Sequence, residues 1–336
     1  MIRKDGRNSL LKHENNKRTS IRSKPLSIIN EIKKTVIGKD EVIIKVLMAI
    51  LAKGHILLED TPGVGKTTLA LAFSRTMNLD YKRIQFTPEI MPADVVGFSV
   101  YNKTDERFMY HPGVVLCNLL LVDEINRASS KTQSALLEAM EEGSVTVDGV
   151  TRQIPNPYTV IATQNPIGSA GTQLLPESQM DRFMVRLSMG YPDLINEVRI
   201  LKNNESRNLL KLIKPSTDAT EILQLQEQVG TVHMDEDIYV YIARLALATR
   251  EHPLIRLGVS PRGSIALVRM SQAAAWLMGR DYVIPSDVQL VLFDVFEHRL
   301  ILNSQANLNN VTTRNLLIEI MQSVSKPSIS RKRADL

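Results

Sequence analysis

The chain has 336 residues, 43% of them hydrophobic, and a formal net charge of +5. That is room for about two domains with a real core. The single Cys117 excludes an internal disulfide and a cysteine-rich zinc site, and the longest uncharged apolar run, around 114–122, falls far short of the roughly 20 residues that a membrane-crossing helix needs.

The N-terminus is basic, but no apolar stretch follows it, so no secretory signal is expected. With one cysteine the chain suits a reducing compartment, and the cytoplasm is the expected location. The positive charge is concentrated at the ends. Residues 1–24 hold eight Lys/Arg against Asp5 and Glu14; residues 326–336 hold Lys326, Arg331, Lys332 and Arg333 against Asp335. The body between them is therefore net acidic, at −4. Solvated tails explain this, and so does contact with anionic lipid, nucleic acid or an acidic partner.

Taken in order, residues 1–24 are polar and poor in aromatics, a composition expected to be disordered. Between 25 and 52 apolar residues recur at helical spacing, interrupted at Val36-Ile37-Gly38 by a turn. Ile56–Glu59 suits a buried strand. A loop with Pro62, Gly63 and Gly65 follows, then good helix formers from Thr68 onward. A second strand is expected at 83–86. Between 87 and 113 three prolines break regularity, but 95–101 and 107–110 flank a possible hairpin turn. Leu119–Asp123 is a buried strand that leads into two acids. Residues 131–142 read as a helix stopped by Gly143. The alternation around Asp148-Gly149 is a strong hairpin signal, and strands follow at 158–163 and 183–187. Strands alternating with helices argue for a mostly parallel, five-stranded α/β sheet with helices on both faces. After Tyr191-Pro192-Asp193 the strand signal fades, and helices are expected at 195–210, 220–230, 235–250, 264–278 and 285–301, with Gly258–Gly263 as punctuation. The expected division is a basic tail (1–24), an α/β nucleotide-binding core (25–191), a small all-helical domain (192–325) and a second basic tail (326–336).

Strand, glycine loop and helix together are the setting of a phosphate-binding loop. Gly63 and Gly65 let backbone N–H groups turn towards a phosphate chain, and the following helix points its N-terminal dipole at the same anion. Lys66 can reach the terminal phosphates, and the Thr67 hydroxyl can hold Mg²⁺. A strict pattern places Gly six residues before the lysine, where this chain has Asp60, which tolerates a left-handed backbone better than most residues. Asp123 and Glu124 would lie at the carboxyl end of the sheet, where such folds bind ligands. Asp123 would complete the Mg²⁺ shell and Glu124 would polarise the attacking water. Asn165, just beyond the 158–163 strand, could orient that water or touch the γ-phosphate. His55, His111, His233, His252 and His298 show no metal-ligand spacing.

In order, Pro62-Gly-Val-Gly-Lys-Thr67, Asp123-Glu-Ile-Asn-Arg127, the 131–142 helix, Ala162-Thr-Gln-Asn-Pro166, Leu175-Pro-Glu-Ser-Gln-Met-Asp-Arg-Phe183 and Gly258-Val-Ser-Pro-Arg-Gly263 resemble the MoxR family of AAA+ ATPases, over roughly 27–305. The resemblance implies a P-loop AAA+ core followed by a helical lid. Its cofactors would be ATP and Mg²⁺, held by Pro62, Gly63, Val64, Gly65, Lys66, Thr67, Thr68 and Asp123, with Val36, Ile37 and Gly38 lining the adenine pocket. Arg182 matches the arginine finger that reaches a neighbouring subunit's nucleotide, with Arg127 as its rival for that role. Arg262 matches a lid arginine that touches the γ-phosphate in its own subunit. The hairpins in 87–113 and 144–154 fall where related ring ATPases engage substrates. The family further implies a homo-oligomeric ring, a hexamer, that remodels or assembles client proteins, often one with a von Willebrand factor A domain. Two other readings stay open: a nucleic-acid-stimulated motor, against which the acidic body argues, and a nucleotide-gated scaffold.

Overall fold

The computed structural model describes residues 23–61, 63–164, 175–204 and 209–327. A first helix, α1, is helical over 23–33, and the Val36-Ile37-Gly38 turn leads into α2 (Asp40–Leu51). Then follow β1 (Ile56–Glu59), α3 (Lys66–Thr76), β2 (Tyr81–Gln85), the short α4 (Pro92–Val96), the hairpin β3 (Gly97–Asn102) with β4 (Arg107–Pro112), and β5 (Leu119–Asp123). After α5 (Ser130–Glu142) come a second hairpin, β6 (Ser144–Val147) with β7 (Val150–Gln153), then β8 (Thr159–Gln164), α6 (Glu177–Met180) and β9 (Val185–Leu187). The rest is largely helical: α7 (Leu194–Asn204), α8 (Ala219–Gly230), α9 (Glu236–Glu251), β10 (Ile255–Leu257), α10 (Pro261–Leu277), α11 (Pro285–Phe296), β11 (Ile301–Leu302), α12 (Ser304–Leu308) and α13 (Thr313–Ser323).

The central sheet is five-stranded and parallel, in the order β2-β5-β8-β1-β9. Its inner strands are apolar on both faces because both faces are covered. Ile56, Leu58, Leu119, Leu121 and Ile161 point into one core; Leu57, Leu120, Val122, Val160 and Ala162 point into the other, under α5 and the hairpins. The first core runs on through α2 into the helical part, where Leu225, Tyr241, Leu245, Leu267 and Val291 belong to the same cluster. The Gln226 amide donates to the Ile50 carbonyl at 2.8 Å across that junction.

Local chemistry fixes the turns. The Ser129 hydroxyl accepts from the Thr132 amide at the start of α5, and Gly143 ends that helix at φ +61. Asp148 and Gly149 both take positive φ, as a two-residue hairpin turn on right-twisted strands requires.

Several boundaries differ from expectation. Lys24, placed in the tail by composition, lies in α1, and its ammonium donates to the Ser216 carbonyl at 3.1 Å and pairs with Glu221. The helix expected over 195–210 is described over Leu194–Asn204, residues 205–208 lie outside the described residues, and a 3-10 turn forms at Leu209–Leu212. The one expected over 285–301 ends at Phe296, passes through a 3-10 turn (Glu297–Arg299) and becomes β11, which pairs with β10. Gly263 is not punctuation; it lies in the first turn of α10, where a Cβ would stand 2.7 Å from Arg299 Cδ. Residues 1–22, 328–336, Pro62 and Asn165 lie outside the described residues. No helix among the described residues is long and apolar enough to cross a membrane.

Candidate functional site

Because β1, β5 and β8 are parallel neighbours, the segments that follow them converge at one edge of the sheet. A cleft of about 340 Å³ opens there, lined by Gly63, Gly65, Lys66, Thr67, Thr68, Arg83, Gln85, Asp123, Glu124 and Thr163. Gly63 and Gly65 sit at φ +89 and +97, and a Cβ built on Gly63 meets nothing within 4 Å. The loop is thus an open cradle of backbone in a conformation that suits glycine. Gly65 caps α3, so the helix N-terminus faces this cradle. Val64 packs inward against the core. Lys66 is buried and donates to the Asp60 carbonyl at 2.7 Å. Burial lowers its pKa, while the charges of Asp60, Asp123 and Glu124 oppose that shift.

The two acids are held across strands. Arg83, on β2, donates from Nε to Asp123 Oδ2 at 2.7 Å. Thr163, on β8, donates to Asp123 Oδ1 at 3.4 Å and accepts from the Glu124 amide at 3.0 Å. Glu124 takes the left-handed conformation at φ 56, uncommon for a side-chain-bearing residue and frequent at functional sites. Its carboxylate pairs with Arg127 at 2.8 Å and lies 3.5 Å from the Gln85 amide. Arg127, the expected rival for an intersubunit role, therefore faces its own Glu124. The Thr67 hydroxyl and the Asp123 carboxylate are hard oxygen donors on the wall of one cleft. This set fits Mg²⁺, which takes one or two protein oxygens and completes its shell with phosphates and water.

Asp60 does not use the left-handed freedom expected of it. Its φ is not in the left-handed range, and the residue is 6% exposed. It accepts from Ser188 Oγ (2.7 Å) and from the Met189 and Gly190 amides (2.6 and 3.0 Å). From the other side Lys39, next to the Val36-Ile37-Gly38 turn, donates to the carbonyls of Met189, Gly190 and Tyr191 at 2.6–3.0 Å. The crossover from β9 to α7 is thereby pinned between that turn and the phosphate loop. Gly38, at φ +70, lies directly under Asn196 of α7.

The arginines from the lid and from the segment before β9 are elsewhere. A second cleft, of about 230 Å³, includes Lys53, Gly54 and His55 before β1, Arg182 before β9, and Arg262 and Arg269 on α10. Arg182 Nε lies 3.2 Å from Glu141 Oε2, and Arg262 pairs with the other oxygen of the same carboxylate. These residues flank the amino ends of β1 and β9, whereas the phosphate loop leaves the carboxyl end. The four residues of β1 alone separate the two clefts by roughly 13 Å at about 3.3 Å per residue. In this structure Arg262 stands beside Arg182, both paired with Glu141 of α5, and away from the phosphate loop of its own chain. Motif reading also passed over Thr163, Arg83, Gln85 and Glu141, whose proximity is a matter of strand register and helix placement.

Comparison with known proteins agrees with this architecture. The family described as "ATPase family associated with various cellular activities (AAA)" matches residues 55–185, and the AAA lid domain matches 247–320. The chain is 46% identical over 299 residues to the uncharacterized protein YeaC of Bacillus subtilis, covering 89% of this chain and 93% of that one. It is 37% identical over 312 residues to the chaperone MoxR1 of Mycobacterium tuberculosis, covering 90% and 82%. A crystal structure of a candidate ATPase from Cytophaga hutchinsonii superposes with a TM-score of 0.87 at 35% identity, covering 95% of this chain and 99% of the other. With a parallel sheet that gathers a glycine cradle and two acids at one edge, a following lid, and relatives that extend over nearly its whole length, this chain belongs to the MoxR family of AAA+ ATPases.

Proposed function

We propose that the protein hydrolyses ATP at the junctions between identical protomers of a ring, taken to be a hexamer, and uses the cycle to remodel or assemble a client protein. The observation that carries this reading is the placement of the groups. The cradle and the acids lie at one edge of the sheet, and the paired arginines Arg182 and Arg262 at the other. Two such edges meet only when a second copy docks.

In this reading Gly63, Gly65 and Lys66 bind the phosphates, and the pinned crossover with Val36, Ile37 and Gly38 borders the adenine. Thr67 and Asp123 hold Mg²⁺, which when bound neutralises charge on the phosphate oxygens. Glu124 polarises a water for attack on the γ-phosphorus; the bond to the bridging oxygen breaks, and ADP and phosphate leave. Asn165, one residue beyond β8, is assigned to the γ-phosphate. Arg182 and Arg262 come from the neighbour and offset the charge that develops. Residues 25–191 serve as the core and 192–325 as the lid, whose movement is passed to the client. The hairpin β3–β4 exposes Phe98, Val100, Tyr101 and Phe108, an apolar surface suited to a protein segment; the client is assigned to the class that includes von Willebrand factor A domains. The buried Cys117, its thiol pushed up to about 12 by burial, is chemically quiet, in keeping with a cytoplasmic protein.

Steady-state turnover tests the assignment. Glu124→Gln is expected to lower turnover by about 10²–10⁴-fold with nucleotide still bound, and Arg182→Ala by about 10³–10⁵-fold. Unchanged turnover in either variant would overturn the site.

A further inference from the structure

Arg299 follows α11 at the end of a 3-10 turn and carries no recognisable motif. Its side chain is 2% exposed, so its charge is almost wholly withdrawn from water. Four of its bonds reach one short stretch, residues 181–184, and NH1 also meets the Val295 carbonyl and the His298 ring. Nε donates to Asp181 Oδ1 at 2.7 Å, NH2 to the carbonyls of Asp181 (3.1 Å) and Phe183 (2.6 Å), and NH1 to that of Met184 (3.2 Å). The residue enclosed by these bonds is Arg182. The other oxygen of Asp181 accepts from Ser260 Oγ at 2.8 Å, two residues before Arg262. One ion pair, its arginine buried and its aspartate 20% exposed, therefore grips both elements that carry the paired arginines. Gly263 leaves the room for it, since a Cβ there would stand 2.7 Å from Arg299 Cδ.

We infer that Arg299, acting through Asp181, is the positioning residue that sets Arg182 and Arg262 for the neighbouring protomer's nucleotide. A fork that fixes three carbonyls and a carboxylate leaves the enclosed segment little freedom, and transition-state groups are most effective when their geometry is fixed before the reaction. The pair also joins the lid to the segment before β9, so a shift of the lid moves both arginines together. This rests on the reading that these arginines act on a second copy.

Mixed rings test it. Arg299→Lys keeps a buried cation but loses the fork; turnover is expected to fall about tenfold or more, with affinity for a fluorescent ATP analogue changed less than about twofold. Mixed one to one with Glu124→Gln protomers, which lack the water-polarising carboxylate but bring intact arginines, the lysine variant should regain turnover, because random assortment pairs its sites with sound neighbours at about one interface in four. Arg182→Ala mixed with Glu124→Gln is the control. Recovery in both mixtures supports the inference, since a merely structural defect would not be rescued from outside. Recovery in the control alone overturns it and leaves the intersubunit reading in place. No recovery in either overturns the intersubunit reading, and the inference with it. If Arg299→Lys does not fold, Asp181→Asn, which keeps shape and acceptor but removes the charge, goes through the same mixtures under the same criteria.

Discussion

At Asp60 the chain carries a carboxylate where a strict phosphate loop has glycine, and three donors from Ser188, Met189 and Gly190 explain it. Replacing it with the expected glycine should therefore harm the protein. Asp60→Gly strands three donors and should cost about 2–3 kcal/mol, read as a lower Tm together with weaker nucleotide binding; an unchanged Tm would refute the tie. Arg83 is the other informative residue. It occupies one oxygen of Asp123, the carboxylate assigned to Mg²⁺. Arg83→Gln should lower the Mg²⁺ concentration needed for half-maximal ATP binding by several-fold, since a competing cation is gone. A higher requirement would mean that Arg83 serves the phosphates instead. Lys66, Thr67, Asp123 and Glu124 are legible in the sequence because their spacing along the chain is the motif. Arg83 and Thr163 are not, because each meets Asp123 across a strand pair about 40 residues apart.

Among the elements, the inner strands and both hairpins could be read from apolar runs and turn dipeptides, whose signals are local. The order β2-β5-β8-β1-β9 could not, since it is set by packing between distant segments. The β10–β11 pair is two to three residues long and carries no period, and α13 lay beyond the last helix that spacing suggested. His55 shows what joins elements at the arginine edge. Its Nδ1 accepts the Val160 amide at 3.0 Å, so Nε2 carries the proton donated to the Met140 carbonyl of α5 at 3.0 Å. The bond accepted by Nδ1 requires the neutral ring, and burial lowers the pKa from 6.5 to about 4, while the bond to the Met140 carbonyl opposes that shift. The unfolded chain takes up a proton first as pH falls, so stability is full above about 6.5 and is lost progressively towards pH 4. At pH 5 the loss is about 2 kcal/mol. Tm measured against pH should show this slope, and His55→Gln should flatten it. Burial and the Arg299 charge lower the pKa of His298 as well, so part of the slope should survive.

For the whole molecule, the separation of the two clefts by the length of β1 makes the active unit larger than the chain in the proposed reading. Specific ATPase activity should rise with protein concentration and collapse on dilution; constant activity per chain in a strictly monomeric sample would refute the account. Arg262 stood out in the sequence as part of Ser260-Pro261-Arg262, but its side of the molecule did not, because a motif gives a residue's neighbours in sequence and not the face its helix presents. Glu141 gives that placement a consequence. One acid on α5 pairs with both cations, so in the proposed ring a stray copy would keep its safety catch on, and docking would have to draw both arginines off the same carboxylate. Fuel consumption then reports a completed assembly and not the mere presence of the protein.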